Sequence, residues 1–318
     1  MTENLKVVFF GTPDFAMPVL KALIENGYNV SHFRSKNLKD DVVFEEFKNL
    51  KPNLCVVAAY GKIIPKHYLE VPKYGFINIH PSLLPKYRGP SPIQTAILND
   101  DPAPILSSDR HSEGGRDWYG ADTETGVTIM LMDEQVDHGP ILAQKPYCLL
   151  PTTYYPQAEK ELAELGAKLL VETLPKHIDR EIKPAEQDHS QATFTKMFSR
   201  NDGRINWNEP AEKIYNRVRA LNPEPGTWTL LRSSGVSFVE QSKVLNISEA
   251  EFKYLEVRPP KSKEVEPPGL VRKINGDIAV ATGKCYLILK QIQLEGGKKM
   301  DAKSFINGHP DFLNSQLE

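Results

Sequence analysis

Through the first half of the chain, short apolar and β-branched runs alternate with stretches of helical periodicity, and this alternation limits the fold more than any other feature. Lys6 to Phe10 reads as a buried strand, Asp14 to Glu25 as a helix, and Leu54 to Ala59 and Gly75 to His80 as further buried strands. Strands separated by helices need crossover connections and so pair in parallel. The expected architecture is α/β, a Rossmann-like, doubly wound and mostly parallel sheet. Gly126 to Met132 and Leu142 to Leu149 read as two more strands. Glu159 to Leu174 carries Leu162, Leu165, Leu169 and Leu170 at helical spacing and closes this first domain.

A chain of 318 residues exceeds one ordinary core, so a second domain is expected. From Arg180 to Gly203 periodicity gives way to a polar stretch with Pro184 and Asp202-Gly203 as breakers. The division is therefore residues 1–180, a linker at 181–203, and 204–318. In the last part a helix from Pro210 to Leu221 precedes short strands at Thr227 to Leu231, Val236 to Val239, Leu270 to Ile274, Ile278 to Thr282 and Tyr286 to Gln293. Strands this short, punctuated by Gly and Pro, suggest a small β-barrel. Arg258 to Pro268, with four prolines and alternating charges, reads as an exposed loop.

The bulk numbers exclude several classes. No run approaches the roughly 20 apolar residues that span a bilayer, and the first strand begins too early to leave room for a signal peptide, so a cytoplasmic protein without a membrane partner is expected. Cys55, Cys148 and Cys285 stand singly among apolar neighbours, which argues for buried, inert thiols rather than disulfides or a metal site. Residues 191–318 hold 19 Lys+Arg against 15 Asp+Glu, leaving 20 against 26 for the rest. Any nucleic-acid contact would therefore favour the C-terminal part.

The chemistry concentrates in two stretches. Gly11-Thr-Pro-Asp14 follows the first strand but lacks the later glycines of a dinucleotide fingerprint, and Pro13 removes a backbone donor, so it reads as a tight connection. In Gly75-Phe-Ile-Asn-Ile-His-Pro-Ser-Leu-Leu-Pro-Lys-Tyr-Arg-Gly89, Asn78 and His80 are two apart on a strand and share a face, near the carboxyl end where open α/β sheets bind ligands. Such a pair could be catalytic or could satisfy a buried loop's backbone. The second stretch is Glu124-Thr-Gly-Val-Thr-Ile-Met-Leu-Met-Asp-Glu-Gln-Val-Asp-His-Gly-Pro-Ile-Leu142.

Together, Asn-x-His, Ser-Leu-Leu-Pro-x-x-Arg-Gly, Glu-Thr-Gly-Val-Thr and the later Asp resemble the folate-dependent formyltransferase family over nearly the whole chain. The resemblance implies a catalytic set of Asn78, His80 and Asp137, with 10-formyltetrahydrofolate as formyl donor and no metal. An amine would attack the formyl carbon, with Asn78 and His80 donating to the oxygen that gains negative charge. Asp137, if close to His80, would help accept the amine's proton directly or through water. Ser82, Leu83, Leu84 and Pro85, together with Tyr60, Gly61, Ile63 and Ile64, would wall the folate. For Ile63 and Ile64, ordinary core packing is equally open. Lys86 and Arg88 could meet substrate phosphates or be solvated. Asp133, Glu134 and His138 read as surface residues.

These motifs leave the acceptor open, and the second domain bears on it. Asp202-Gly-Arg-Ile-Asn-Trp207, Ile214-Tyr-Asn-Arg-Val-Arg-Ala-Leu-Asn-Pro223, Ala279-Val-Ala-Thr-Gly283 and Gln293-Leu-Glu-Gly-Gly-Lys-Lys299 resemble the OB-like, tRNA-binding domain of family members that formylate methionyl initiator tRNA. That tRNA is the expected partner and a monomer the expected state; sugar-nucleotide N-formyl transfer is the alternative. Two departures open a third reading, a degenerate, non-catalytic binder of folate or RNA. After Asn29 to Arg34 the chain passes directly to Asp41 to Leu50, lacking roughly thirty residues, about one βα unit, that include the family's basic loop. Conversely, Asp101 to Asp122 reads as an acidic insertion with five Asp or Glu against two Arg, and an acidic loop cannot replace a basic one against phosphate. A lesser departure is Glu224, where the family commonly has Trp.

Overall fold

The structure, a computed structural model, describes residues 5–11, 14–34, 37–99, 123–231, 242–252 and 266–318. The turn at Thr12-Pro13, the acidic stretch 101–122, the strand expected at Val236 to Val239 and most of the loop expected at 258–268 lie outside them. The first sheet contains β1 (Lys6–Gly11), β2 (Asn29–His32), β3 (Leu54–Ala58), β4 (Phe76–His80), β5 (Thr123–Leu131) and β6 (Ile141–Leu149) in the order β2-β1-β3-β4-β5-β6. The first four strands pair in parallel. The pairs β4–β5 and β5–β6 are antiparallel, as the short 132–140 connection between β5 and β6 requires.

Alternation along the strands feeds two separate cores. Val7, Phe9, Leu54, Val56, Ile77 and Ile79 pack under α1 (Ala16–Glu25) and the later α4 (Pro92–Asn99) and α5 (Tyr155–Ile178). Val8, Phe10, Cys55, Val57 and Phe76 face the other way, against Phe47 of α2 (Asp41–Asn49) and Tyr68 of α3 (Lys66–Leu69). With helices on both faces, the sheet is doubly wound. Each fully buried Leu, Ile or Phe contributes about 1.5–3 kcal/mol. The α1 helix starts two residues later than expected because Asp14 is left-handed, with φ 68°. At the turn before it, a Cβ on Gly11 would stand 2.7 Å from Ala16 Cβ, so the strand-to-helix corner needs glycine for close approach.

The second domain is a curled antiparallel sheet. Its strands are β7 (Trp228–Leu231), β8 (Lys243–Phe252), β9 (Val271–Ile274), β10 (Asp277–Ala281) and β11 (Tyr286–Leu294), ordered β7-β8-β11-β10-β9, with β12 (Met300–Asp301) on β11. Bridges from Leu317 to Leu231 and from Gln316 to Leu270 let the chain's last residues tie the two edge strands together. That bridging makes the sheet OB-like in its curvature. The sheet is filled by Leu245, Ile247, Ile278, Val280, Leu287 and Leu289, and Ile214 and Val218 of α6 (Ala211–Leu221) cover it. A final helix, α7 (Ala302–Gly308), adds Phe305. Strand β8 escaped the sequence pattern because Ser248-Glu249-Ala250-Glu251 breaks its alternation, with register shifts against β11 on both sides of the Glu249–Gln291 pair.

Two expectations are corrected here. Cys148 is exposed and Cys285 half-buried rather than buried; Cys55 is buried, and that burial pushes its thiol well above the ordinary range. Residues 181–203 are aperiodic as expected, but the segment is not a free linker: it lies bonded along the first domain. Ala185 and Ile141 exchange backbone hydrogen bonds at 2.7 and 2.8 Å, and Arg88 exchanges them with Thr193 and Thr195 at 2.9 and 2.8 Å. No helix among the described residues is long and apolar enough to cross a membrane.

Candidate active site

Strand β4 places Phe76, Asn78 and His80 on one face. Phe76 is buried in the aromatic core, and the face turns polar toward the strand's carboxyl end. Because β5 runs antiparallel, it ends with Leu131 beside Ile77. The 132–140 loop then folds back along this face and brings Asp137 to both polar residues. Asn78 Nδ2 donates to Asp137 Oδ1 at 3.2 Å, and His80 Nδ1 stands 3.6 Å from Asp137 Oδ2. The side chains of His80 and Asp137 are only 5% and 12% exposed, so the charges that develop between them are screened weakly. The three residues named from sequence are assembled in one place.

The surroundings fix their orientation. His80 Nε2 lies 2.9 Å from the Tyr87 carbonyl, which can only accept. Nε2 is therefore the donor, and Nδ1 is left facing Asp137. Asp137 Oδ2 accepts from Gly89 N at 2.8 Å, and Asp137 itself is held at φ 48°. Gly89 must be glycine: its φ is 111°, and a Cβ there would lie 2.8 Å from Thr195 Oγ1. Asn78 has two amide hydrogens, one given to Asp137 and the second available to a ligand in the cleft.

That cleft has a volume of about 490 Å³ and is lined by Asn78, His80 and Asp137 together with Tyr60, Gly61, Ile63 and Ile64. Ile63 is 79% exposed, so its packing reading fails, whereas Ile64 is 4% exposed and belongs to the core as well as the wall. Tyr60 packs edge-on to Phe10 at 5.3 Å. Ser82, Leu83, Leu84 and Pro85 do not line the cleft. Their polar atoms are consumed elsewhere: Ser82 Oγ donates to Lys86 O at 2.7 Å, Thr128 Oγ1 to Ser82 O at 2.6 Å, and Gln144 Nε2 to Leu84 O at 2.8 Å. Leu83 instead closes over Gly126, where a Cβ would meet it at 2.6 Å.

Other readings also change. Arg88 is buried and donates to Gln187 Oε1 and His189 Nδ1, so it does not reach toward phosphate; Lys86 remains exposed. Glu134 is exposed, as expected, and Asp133 and His138 are half-buried; all three have partners. Lys66 pairs with Glu134 at 2.5 Å, and His138 Nδ1 lies 2.6 Å from Asp133 Oδ2, pinning the loop that presents Asp137. Sequence reading missed Gln187, Phe15, Tyr155 and Met197. The last three wall both this cleft and a neighbouring one of about 800 Å³ that runs to Phe198, Pro223 and Pro225. Only exposure of large apolar groups such as Met197, at 75%, marks that region. Among the described residues no three His, Cys, Asp or Glu side chains form a metal-binding cluster.

A hydrogen-bond donor, an imidazole with one committed nitrogen and a half-buried carboxylate line one cleft, a set of groups chemically able to support acyl transfer to an amine. The formyl transferase family model matches residues 15–174, and that for the formyl transferase C-terminal domain matches 197–310. The chain belongs to the formyl transferase family. It is 34% identical to methionyl-tRNA formyltransferase of Thermodesulfovibrio yellowstonii over 95% of each chain. Among solved structures it superposes on methionyl-tRNA formyltransferase from Clostridium thermocellum with a TM-score of 0.56 at 20% identity, covering 90% of this chain and 99% of that one. It also superposes on HypX from Aquifex aeolicus in complex with tetrahydrofolic acid, with a TM-score of 0.65 at 16% identity over 95% of this chain. It spans only 46% of HypX.

Proposed function

We propose that this enzyme transfers the formyl group of 10-formyltetrahydrofolate to the α-amino group of methionyl initiator tRNA. The observation that carries the reading is the meeting of Asn78, His80 and Asp137 at the mouth of one cleft. The donor's ring system would lie against Tyr60, Gly61, Ile63 and Ile64. The amine lone pair forms a bond to the formyl carbon as the carbonyl π electrons move onto oxygen, which the second Asn78 N–H stabilises. His80 Nδ1, assisted by Asp137, accepts the proton released by the attacking nitrogen. When the intermediate collapses, the carbon–nitrogen bond to the folate breaks, and the same proton passes to that departing nitrogen.

The acceptor assignment is supported by relatives matched over nearly their full length and by the presence of both family domains. The adjoining cleft, walled by Phe15, Tyr155, Met197 and Phe198, suits an apolar methionine side chain. Where the joining segment meets the second domain, exposed Arg200 and Arg204 lie 5.5 and 5.6 Å over the Trp228 ring, a cationic aromatic surface of the kind that meets phosphates and bases. Action as a monomer in the cytoplasm belongs to this reading. Incubation with 10-formyltetrahydrofolate and methionylated initiator tRNA should yield formylmethionyl-tRNA; folate binding without turnover would favour a non-catalytic binder.

A further inference from the structure

Gln187 sits in the aperiodic 181–203 segment, far in sequence from the catalytic residues, yet it is only 5% exposed. Its Nε2 donates to the carbonyls of Asp137 and Gly139 at 3.0 and 2.7 Å. Its Oε1 accepts from Arg88 Nε and Nη2 at 3.2 and 2.7 Å. The orientation of the amide is unambiguous, because carbonyls only accept and a guanidinium only donates. One side chain thus clamps both ends of the Asp137 turn and the residue immediately before Gly89. Those are the two backbone segments that set the Asp137 carboxylate, since Asp137 is left-handed and Gly89 N donates to its Oδ2.

The rest of the segment extends this arrangement. Tyr87 N donates to Thr193 Oγ1 at 2.8 Å and Ser91 N to Thr195 Oγ1 at 3.1 Å, so the 87–91 loop is bonded at both ends to residues 193–195. Tyr87 supplies the carbonyl that orients His80. His189, which accepts from Arg88, stacks on His138 at 4.0 Å between centroids and an angle of 5°.

We propose that Gln187 is a positioning residue for formyl transfer, holding the Asp137 carboxylate against Asn78 and His80 from the segment that joins the two domains. The proposal rests on Asp137 acting in the reaction. Gln187 does not line the cleft, so its loss should lower turnover without weakening binding. A displacement of about 1 Å at a reacting group costs about 10²-fold in rate.

The test uses the full chain in steady-state formyl transfer. Gln187→Met fills the same volume and removes all four hydrogen bonds; Gln187→Glu keeps an acceptor for Arg88 but cannot donate to the carbonyls. Both should lower kcat by about 10- to 100-fold while KM for donor and acceptor stays within about twofold. In an Asp137→Asn background neither should cause a further loss, because the group they position is already gone. Amide hydrogen exchange, which needs no activity, should rise in residues 132–140 and at Gly89 and stay unchanged in α5. Wild-type kcat in Gln187→Glu, a full additional loss in the Asp137→Asn background, or unchanged exchange in the 132–140 loop would overturn the proposal. Absence of turnover in the wild-type protein would instead count against the acceptor assignment, and the exchange measurement would still decide the role of Gln187.

Discussion

Residues 60–64 and 82–85 look alike in sequence: each follows a buried strand, each is mostly apolar, and each resembles a folate wall. In the structure they face different surroundings. At 60–64 the backbone turns through positive φ at Ala59 and Gly61 and leaves Ile63 exposed over the cleft. At 82–85 the side chains of Thr128 and Gln144 stitch the segment to β5 and β6, Ser82 Oγ closes the loop on Lys86 O, and Leu84 is buried. An apolar sequence shows which residues can line a pocket; hydrogen bonds made by residues some 40 to 60 positions away decide whether they do. The first segment can therefore serve binding, whereas the second supports the loop that carries Tyr87 and Gly89.

Substitutions can separate these roles. The largest effect belongs to the polar groups that line the cleft: Asn78→Ala, His80→Ala and Asp137→Ala should each lower kcat by about 10²- to 10⁴-fold with thermal midpoints little changed. Steady-state kinetics beside thermal melts check this. Next, Leu84→Ala should cost about 2–4 kcal/mol of stability by leaving a cavity, while donor KM stays within about twofold. Denaturant titration shows the first and kinetics the second. A large rise in donor KM with intact stability would return 82–85 to the cleft. Conversely, Ile63→Ser should raise donor KM about tenfold, equivalent to about 1.4 kcal/mol, and change stability by less than about 0.5 kcal/mol because the side chain is already exposed. The smallest effect is expected for Ser82→Ala, about 1 kcal/mol of stability for the lost hydrogen bond to Lys86 O.

How much of this was legible in the sequence depended on whether the signal was local. Apolar strand runs separated by helical stretches made the doubly wound sheet legible, and the two-residue spacing of Asn78 and His80 their shared face. Asp137 was legible through the family motif alone, since nothing in its neighbourhood shows that the 132–140 loop folds back over β4. Strand β8 was hidden by a run of polar residues at a register shift. Gln187 left no signal because polar residues in an aperiodic stretch look the same whether they face water or a buried guanidinium. Arg88 was misread for the same reason: its charge suggested phosphate, but its partner lies 99 residues later.

The acceptor is the claim on which the account most depends, since the chain passes directly from β2 to α2 without the basic loop expected of the family. The deciding measurement is the ratio of kcat/KM for methionylated initiator tRNA to that for amino-sugar nucleotides, with 10-formyltetrahydrofolate as common donor. The account predicts formylation of the tRNA with a preference of at least about 100-fold, about 2.7 kcal/mol in transition-state binding. A preference for the sugar nucleotide, or folate binding with no transfer to the tRNA, would contradict it.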